Sequence, residues 1–125
     1  MRILLVEDNR LNQELESDLL EAAGHTVVIA ADGAAMRARL EEMTPDIILL
    51  DVLLPGADGV SLLGDLRRSS FANLPIVAVT AQALPGDLQR FADAGFDAVM
   101  TKPIEARTFV ADIERHATRR RGGVG

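Results

Sequence analysis

Apolar residues fall in five short, unbroken runs along this chain: Ile3–Val6, Val27–Ala30, Ile47–Leu50, Ile76–Val79 and Ala98–Met100. None alternates with polar residues, which marks strands covered on both faces. Amphipathic segments fill the intervals. Leu11, Leu15 and Leu19 recur every four residues and predict a helix with one apolar stripe, closed at Gly24. Met36, Leu40 and Met43 repeat the pattern before Pro45, and Val60, Leu63 and Leu66 do so after Gly59. The stretch Leu84 to Ala94 is less regular, with Pro85 suited to a first helical turn. Ala106, Phe109, Val110, Ile113 and Ala117 form the last stripe. Strand and helix alternate five times. The predicted fold is therefore α/β, a doubly wound (βα)5 parallel five-stranded sheet with helices on both faces and right-handed crossovers.

The chain has 125 residues, 48% of them hydrophobic and 26% charged, so one domain with a packed core is expected. No apolar run approaches the ~18 residues of a membrane span, and the apolar part of "MRILLVEDN" is too short for a signal peptide. No membrane contact and a cytoplasmic location are expected. Without cysteine, thiolate and disulfide chemistry are excluded. The net charge of −6 argues against nucleic acid as a partner. The one basic cluster, Arg119 to Arg121, precedes "GGVG" and reads as a solvated, frayed tail over 119–125, which leaves 1–118 as the domain.

Polar residues gather where the predicted strands end. Strand one ends in Glu7-Asp8, strand three in Asp51, strand four in Thr80, and strand five in Thr101-Lys102-Pro103. In a parallel sheet these carboxyl ends share one edge, and open α/β sheets bind ligands there. Each residue has a plainer reading: Asp8 or Asn9 as a helix cap, Asp51 as a turn cap, Thr80 as a strand end, Lys102 as a solvated charge. All four segments meeting at one edge is the less ordinary outcome of chance.

Three close carboxylates carry −3, repel one another and raise each other's pKa. A divalent cation together with Lys102 balances that charge. The hard oxygen ligands select Mg²⁺, with Mn²⁺ or Ca²⁺ as alternatives, over zinc or copper. Mg²⁺ keeps coordination positions for phosphate oxygens. Asp51, beside a cation and a lysine, can attack phosphorus and form an aspartyl phosphate, with Thr80 donating its hydroxyl to a phosphoryl oxygen. Neither histidine has a nucleophile to serve; His25 follows Gly24 at a helix end, a structural or solvated place.

These motifs, "LLVEDN", "DVLLPGADG", "VAVTA" and "TKP", in this order and spacing, resemble the receiver domain of bacterial two-component response regulators. The resemblance covers Arg2 to about Thr118 and is closest to hybrid-kinase receivers and stand-alone cell-cycle regulators. It implies the flavodoxin-like strand order 2-1-3-4-5. It implies that Asp51 accepts a phosphoryl group from a phosphohistidine on a sensor histidine kinase or histidine phosphotransfer protein. Asp8, Asp51 and the backbone carbonyl of Leu53 would hold Mg²⁺ directly, and Glu7 through water. Lys102 would pair with carboxylate or phosphate, and the Lys102–Pro103 bond would be cis. Thr80 would move inward on phosphorylation and shift the surface of helix four, strand five and helix five toward a downstream protein target. A monomer or weak dimer is expected, acting as a phosphoacceptor rather than an enzyme.

Two departures stand out. Receivers usually carry an aromatic residue or histidine three positions before the lysine, where this chain has Val99, which puts an aromatic-coupled switch in doubt. Leu53 offers no side-chain acid or amide to hold an attacking water. That leaves Gln82, two residues after Thr80, for the task, and slow self-dephosphorylation is expected. Competing readings are a pseudo-receiver that binds partners without phosphate, an aspartyl-phosphate phosphatase, and a flavin-binding module. The phosphatase would want an acid where Leu53 stands. The flavin module would want a Ser/Thr/Gly-rich loop where "EDNRLN" stands.

Overall fold

A computed structural model describes the backbone at 1–54, 56–81 and 84–122, and the side chains of the same residues except 57 and 118–122. Gln82 and the side chains of the expected tail lie outside the described residues. The elements run β1 (Arg2–Val6), α1 (Arg10–Ala22), β2 (Thr26–Ala30), α2 (Gly33–Glu42), β3 (Ile47–Asp51), β4 (Leu53–Leu54), β5 (Ala57–Asp58), α3 (Gly59–Arg67), β6 (Ile76–Thr80), α4 (Pro85–Ala94), β7 (Ala98–Thr101) and α5 (Ala106–Gly122). Five parallel strands form one sheet in the order β2-β1-β3-β6-β7. Counted among the sheet strands alone, that is 2-1-3-4-5. The antiparallel ribbon of β4 and β5 is a short addition between β3 and α3, too brief to show in a hydropathy pattern.

The unbroken apolar runs do supply both faces. Leu4, Val6, Ile48, Leu50, Ile76 and Ala78 point to one layer, closed by Met36 of α2, Leu62, Leu63 and Leu66 of α3, and Phe91 of α4. Ile3, Leu5, Ile47, Leu49, Val77 and Val79 point to the other, closed by Leu20 of α1 and by Phe109, Ile113 and Ala117 of α5. Each such side chain contributes roughly 1.5–3 kcal/mol on burial, and β3 and β6 are buried at every position.

The stripe expected on α1 is rotated. Leu11 is 75% exposed and Leu15 is 47% exposed, while Glu16, Ser17 and Leu20 are the buried positions. Local hydrogen bonds fix this rotation. Asn9 caps the helix by accepting from the Asn12 N–H at 3.0 Å. The Gln13 side-chain amide donates to the Glu7 carbonyl at 2.6 Å. Position 13 is thereby tied to the end of β1, and positions 16, 17 and 20 follow it onto the sheet side.

At the opposite end of the sheet, Arg67 stitches three connections together. Its guanidinium donates to the carbonyls of Ala72, Leu74 and Gly95 and to the Asp97 carboxylate at 2.9 Å. Asp97 in turn accepts the Ile76 N–H at 2.7 Å. On the α1 side, His25 accepts from the Met1 amine and pairs with Glu114 of α5 at 2.7 Å, which is the structural role open to it.

Candidate functional site

Register alone brings the polar residues together. Val6 pairs with Leu50, so Glu7 and Asp51 are the next residues out on adjacent strands. Asp51 lies beside Val79, one residue before Thr80. Thr80 lies beside Thr101, one residue before Lys102, and the Lys102 N–H donates to the Thr80 carbonyl at 2.8 Å. The Lys102–Pro103 peptide is cis. Glu7, Asp51 and Thr80 are buried at 1%, 5% and 0% exposure, and Asp8 is exposed.

A carboxylate at the end of an apolar strand needs compensation, and Asp51 has it. The Lys102 ammonium donates to Asp51 Oδ2 at 2.9 Å and to Glu7 Oε1 at 2.6 Å. The Leu53 N–H donates to Asp51 Oδ1 at 2.9 Å, and the Asn9 N–H donates to Glu7 Oε2 at 3.0 Å. The acids therefore do not simply repel. Burial pushes the Glu7 carboxyl up from its ordinary range, Lys102 and the Asn9 N–H oppose it, and the charge of Asp51 adds a smaller push. For Lys102, burial works against the ammonium, but its bonds to Glu7 and Asp51 prevail and hold it above the usual lysine range.

Glu7, Asp8 and Asp51 each bring one carboxylate oxygen to within 4.8 Å of the others. Three hard oxygen donors that close fit a divalent cation with room for water or phosphate oxygens. Leu53 adjoins the cluster through its backbone, with its side chain 53% exposed. Val99 is half-buried against the layer beneath α4 and lines a groove of about 330 Å³ with Thr101, Ile104, Thr108, Arg115 and His116.

Three contributors escaped the sequence reading. Gly59 opens α3 so close to β3 that a Cβ there would stand 2.7 Å from the Asp51 carbonyl oxygen, so only glycine fits without a shift. "PGADG" marked a turn but not this approach. Gln13 fastens the Glu7 carbonyl, and Glu16 lies buried one turn further along α1. Their three-residue spacing with Leu20 four beyond was visible, but the leucines at 11, 15 and 19 gave the stronger period.

The pattern of the response regulator receiver domain matches residues 3–114. A polar-differentiation response regulator, DivK, from Brucella anthropi is 34% identical over 115 residues, 91% of this chain and 94% of that protein. A CheY-like receiver domain protein from Methanospirillum hungatei superposes with a TM-score of 0.87 at 26% identity, covering 98% of this chain and 97% of that one. A chemotaxis response regulator of Vibrio cholerae gives 0.85 at 27% identity, covering 92% and 97%.

Proposed function

The chain belongs to the response regulator receiver domain family and acts in two-component phosphorelay signalling, and from that premise we propose that Asp51 is its phosphoacceptor. One observation carries this reading: the buried Asp51 carboxylate is held between Lys102 and the Leu53 N–H, with two further acids beside it. In the transfer, an Asp51 carboxylate oxygen bonds to phosphorus as the phosphorus–nitrogen bond to a donor imidazole breaks, and the leaving imidazole takes a proton from water. Lys102 balances charge on the transferring oxygens, and Thr80, next on the adjacent strand, offers its hydroxyl to one of them. Glu7, Asp8, Asp51 and the Leu53 carbonyl would hold Mg²⁺, whose contribution when bound is to neutralise phosphoryl charge. The protein assists transfer to itself and turns over no separate substrate.

The donor is a sensor histidine kinase or histidine phosphotransfer protein. Leu11, Leu53 and Leu84 are exposed, and each lies within four residues of Asp8, Asp51 or Thr80. Leu15 extends that apolar rim along α1. A protein donor would cover this rim while presenting its phosphohistidine to the acids. The output is carried by the α4, β7 and α5 surface to a downstream protein in the cytoplasm.

Incubation with Mg²⁺ and acetyl phosphate, followed by intact mass, tests the assignment. One phosphoryl adduct that disappears in Asp51→Asn is expected. An unchanged mass in the unaltered protein would leave a partner-binding module without phosphate chemistry. An adduct that persists in Asp51→Asn would move the acceptor elsewhere.

A further inference from the structure

One buried acid plays no part in this mechanism. Glu16 is 2% exposed, and its Oε1 is buried with no hydrogen-bond partner among the described residues. It lies among the buried positions of α1 with Leu20, which packs into the layer of Leu5, Leu49 and Phe109. It also stands close to the acidic pocket. Gln13, three residues earlier, is bonded to the Glu7 carbonyl at 2.6 Å, so Glu16 is about 4.5 Å further along the helix axis. An ionised carboxylate without a partner in such a layer is far costlier than the neutral acid.

We propose that Glu16 is a buried auxiliary acid of the phosphoacceptor site, one that gives up its proton more readily when Glu7, Asp8 and Asp51 take up a divalent cation. This rests on the reading of those three acids as the Mg²⁺ ligands. The charged groups around Glu16 come from three elements. Glu7 follows β1, Asp51 ends β3, and Lys102 lies between β7 and α5; all three act on it electrostatically. From β2 no titratable side chain is present. From α5 the buried residues among those described are the apolar Phe109, Ile113 and Ala117. Glu105, Arg107, Glu114 and Arg115 of that region are exposed, and Asp112 and His116 are half-buried. On α1 itself, Ser17 donates to the Glu14 carbonyl, and Glu14 and Asp18 are exposed. Burial first, then the charge of Glu7, raises the Glu16 carboxyl; Lys102 opposes, Asp51 adds, and the outcome is about 7. Two added positive charges at the pocket, together with Lys102, balance the three acids and remove their push on the Glu16 carboxyl. The Glu16 O–H then breaks, the proton leaves to solvent, and the resulting carboxylate strengthens cation binding in return.

The coupling is measurable without phosphorylation. Calorimetric titration of the phosphate-free protein with Mg²⁺ at pH 7, in buffers of different ionisation enthalpy, counts protons released. The unaltered protein is expected to release more protons than Glu16→Gln, by up to about half a proton. Its Mg²⁺ affinity is expected to rise about fivefold more between pH 6 and pH 8 than that of the variant. Carbon-13 carboxyl spectra of the unaltered protein give a second readout: at pH 6.5, saturating Mg²⁺ should move the Glu16 resonance toward its ionised position. Equal proton release in both proteins, or a Glu16 resonance that Mg²⁺ leaves in place, overturns this inference alone. No Mg²⁺ binding by either protein overturns the metal reading and this inference with it.

Discussion

Lys102 and Glu16 show how differently two titratable groups withdrawn from water are treated. Lys102 meets two carboxylates at hydrogen-bonding distance, whereas Glu16 meets none among the described residues. The cost of Glu16 depends on pH with a definite sign. Its folded value of about 7 lies above the ordinary 4.5. Its contribution is therefore fully favourable below about pH 4.5 and is lost as pH rises through about 7. Metal-free protein should lose up to about 3 kcal/mol relative to Glu16→Leu across that window. Urea denaturation at pH 5 and pH 7.5, followed by circular dichroism, checks it; equal differences at the two pH values would refute the claim. Asp51, Glu7 and Lys102 were legible in sequence because charged residues directly after apolar runs are conspicuous. Glu16 was not, because a glutamate inside an amphipathic helix looks solvated until the helix rotation is known.

That rotation is the main matter at the scale of elements. The five strands and five helices follow from run length and period, since a doubly covered sheet leaves no other place for continuous apolar segments. The facing of α1 does not follow, because Leu11, Leu15 and Leu19 and the set at 13, 16, 17 and 20 both have helical spacing. The choice falls to the Asn9 cap and the Gln13 bond to the Glu7 carbonyl, contacts that a hydropathy pattern does not register. The outcome leaves Leu11 and Leu15 facing water next to the acids. Replacing both with serine should change stability by no more than about 0.5 kcal/mol, because neither is core. Loading from acetyl phosphate should be unchanged, while transfer from a phosphorylated histidine phosphotransfer protein should slow by about tenfold or more, the loss of a central apolar contact. Equal slowing with both donors would point to damage at the acids instead of lost docking.

Across the whole molecule, the two edges of the sheet do different work. Arg67 binds the loops that lead into β6 and β7, far from the carboxyl ends where Asp51 and Thr80 lie. Arg67→Ala would remove the cation paired with half-buried Asp97 together with the bonds to the Ala72, Leu74 and Gly95 carbonyls, so a loss of about 3 kcal/mol is expected in urea denaturation, with acetyl phosphate loading retained well below the melting temperature. The acidic edge makes the opposite contribution, since it holds several negative groups close together until a cation joins them. A cation that binds only the folded arrangement stabilises it by mass action, about 2.7 kcal/mol at a hundredfold excess over its dissociation constant. For a chain of 125 residues that corresponds to a rise of roughly 10 °C in melting temperature. The chain contains no Trp or Tyr, so calorimetry or circular dichroism must follow the transition. Mg²⁺ should raise the midpoint and a chelator should return it, and the rise should be larger at pH 8 than at pH 6, because the Glu7 carboxyl, pushed up by burial, must give up its proton as the cation binds. A midpoint indifferent to Mg²⁺ at both pH values would mean that the three carboxylates do not act together as a cation site.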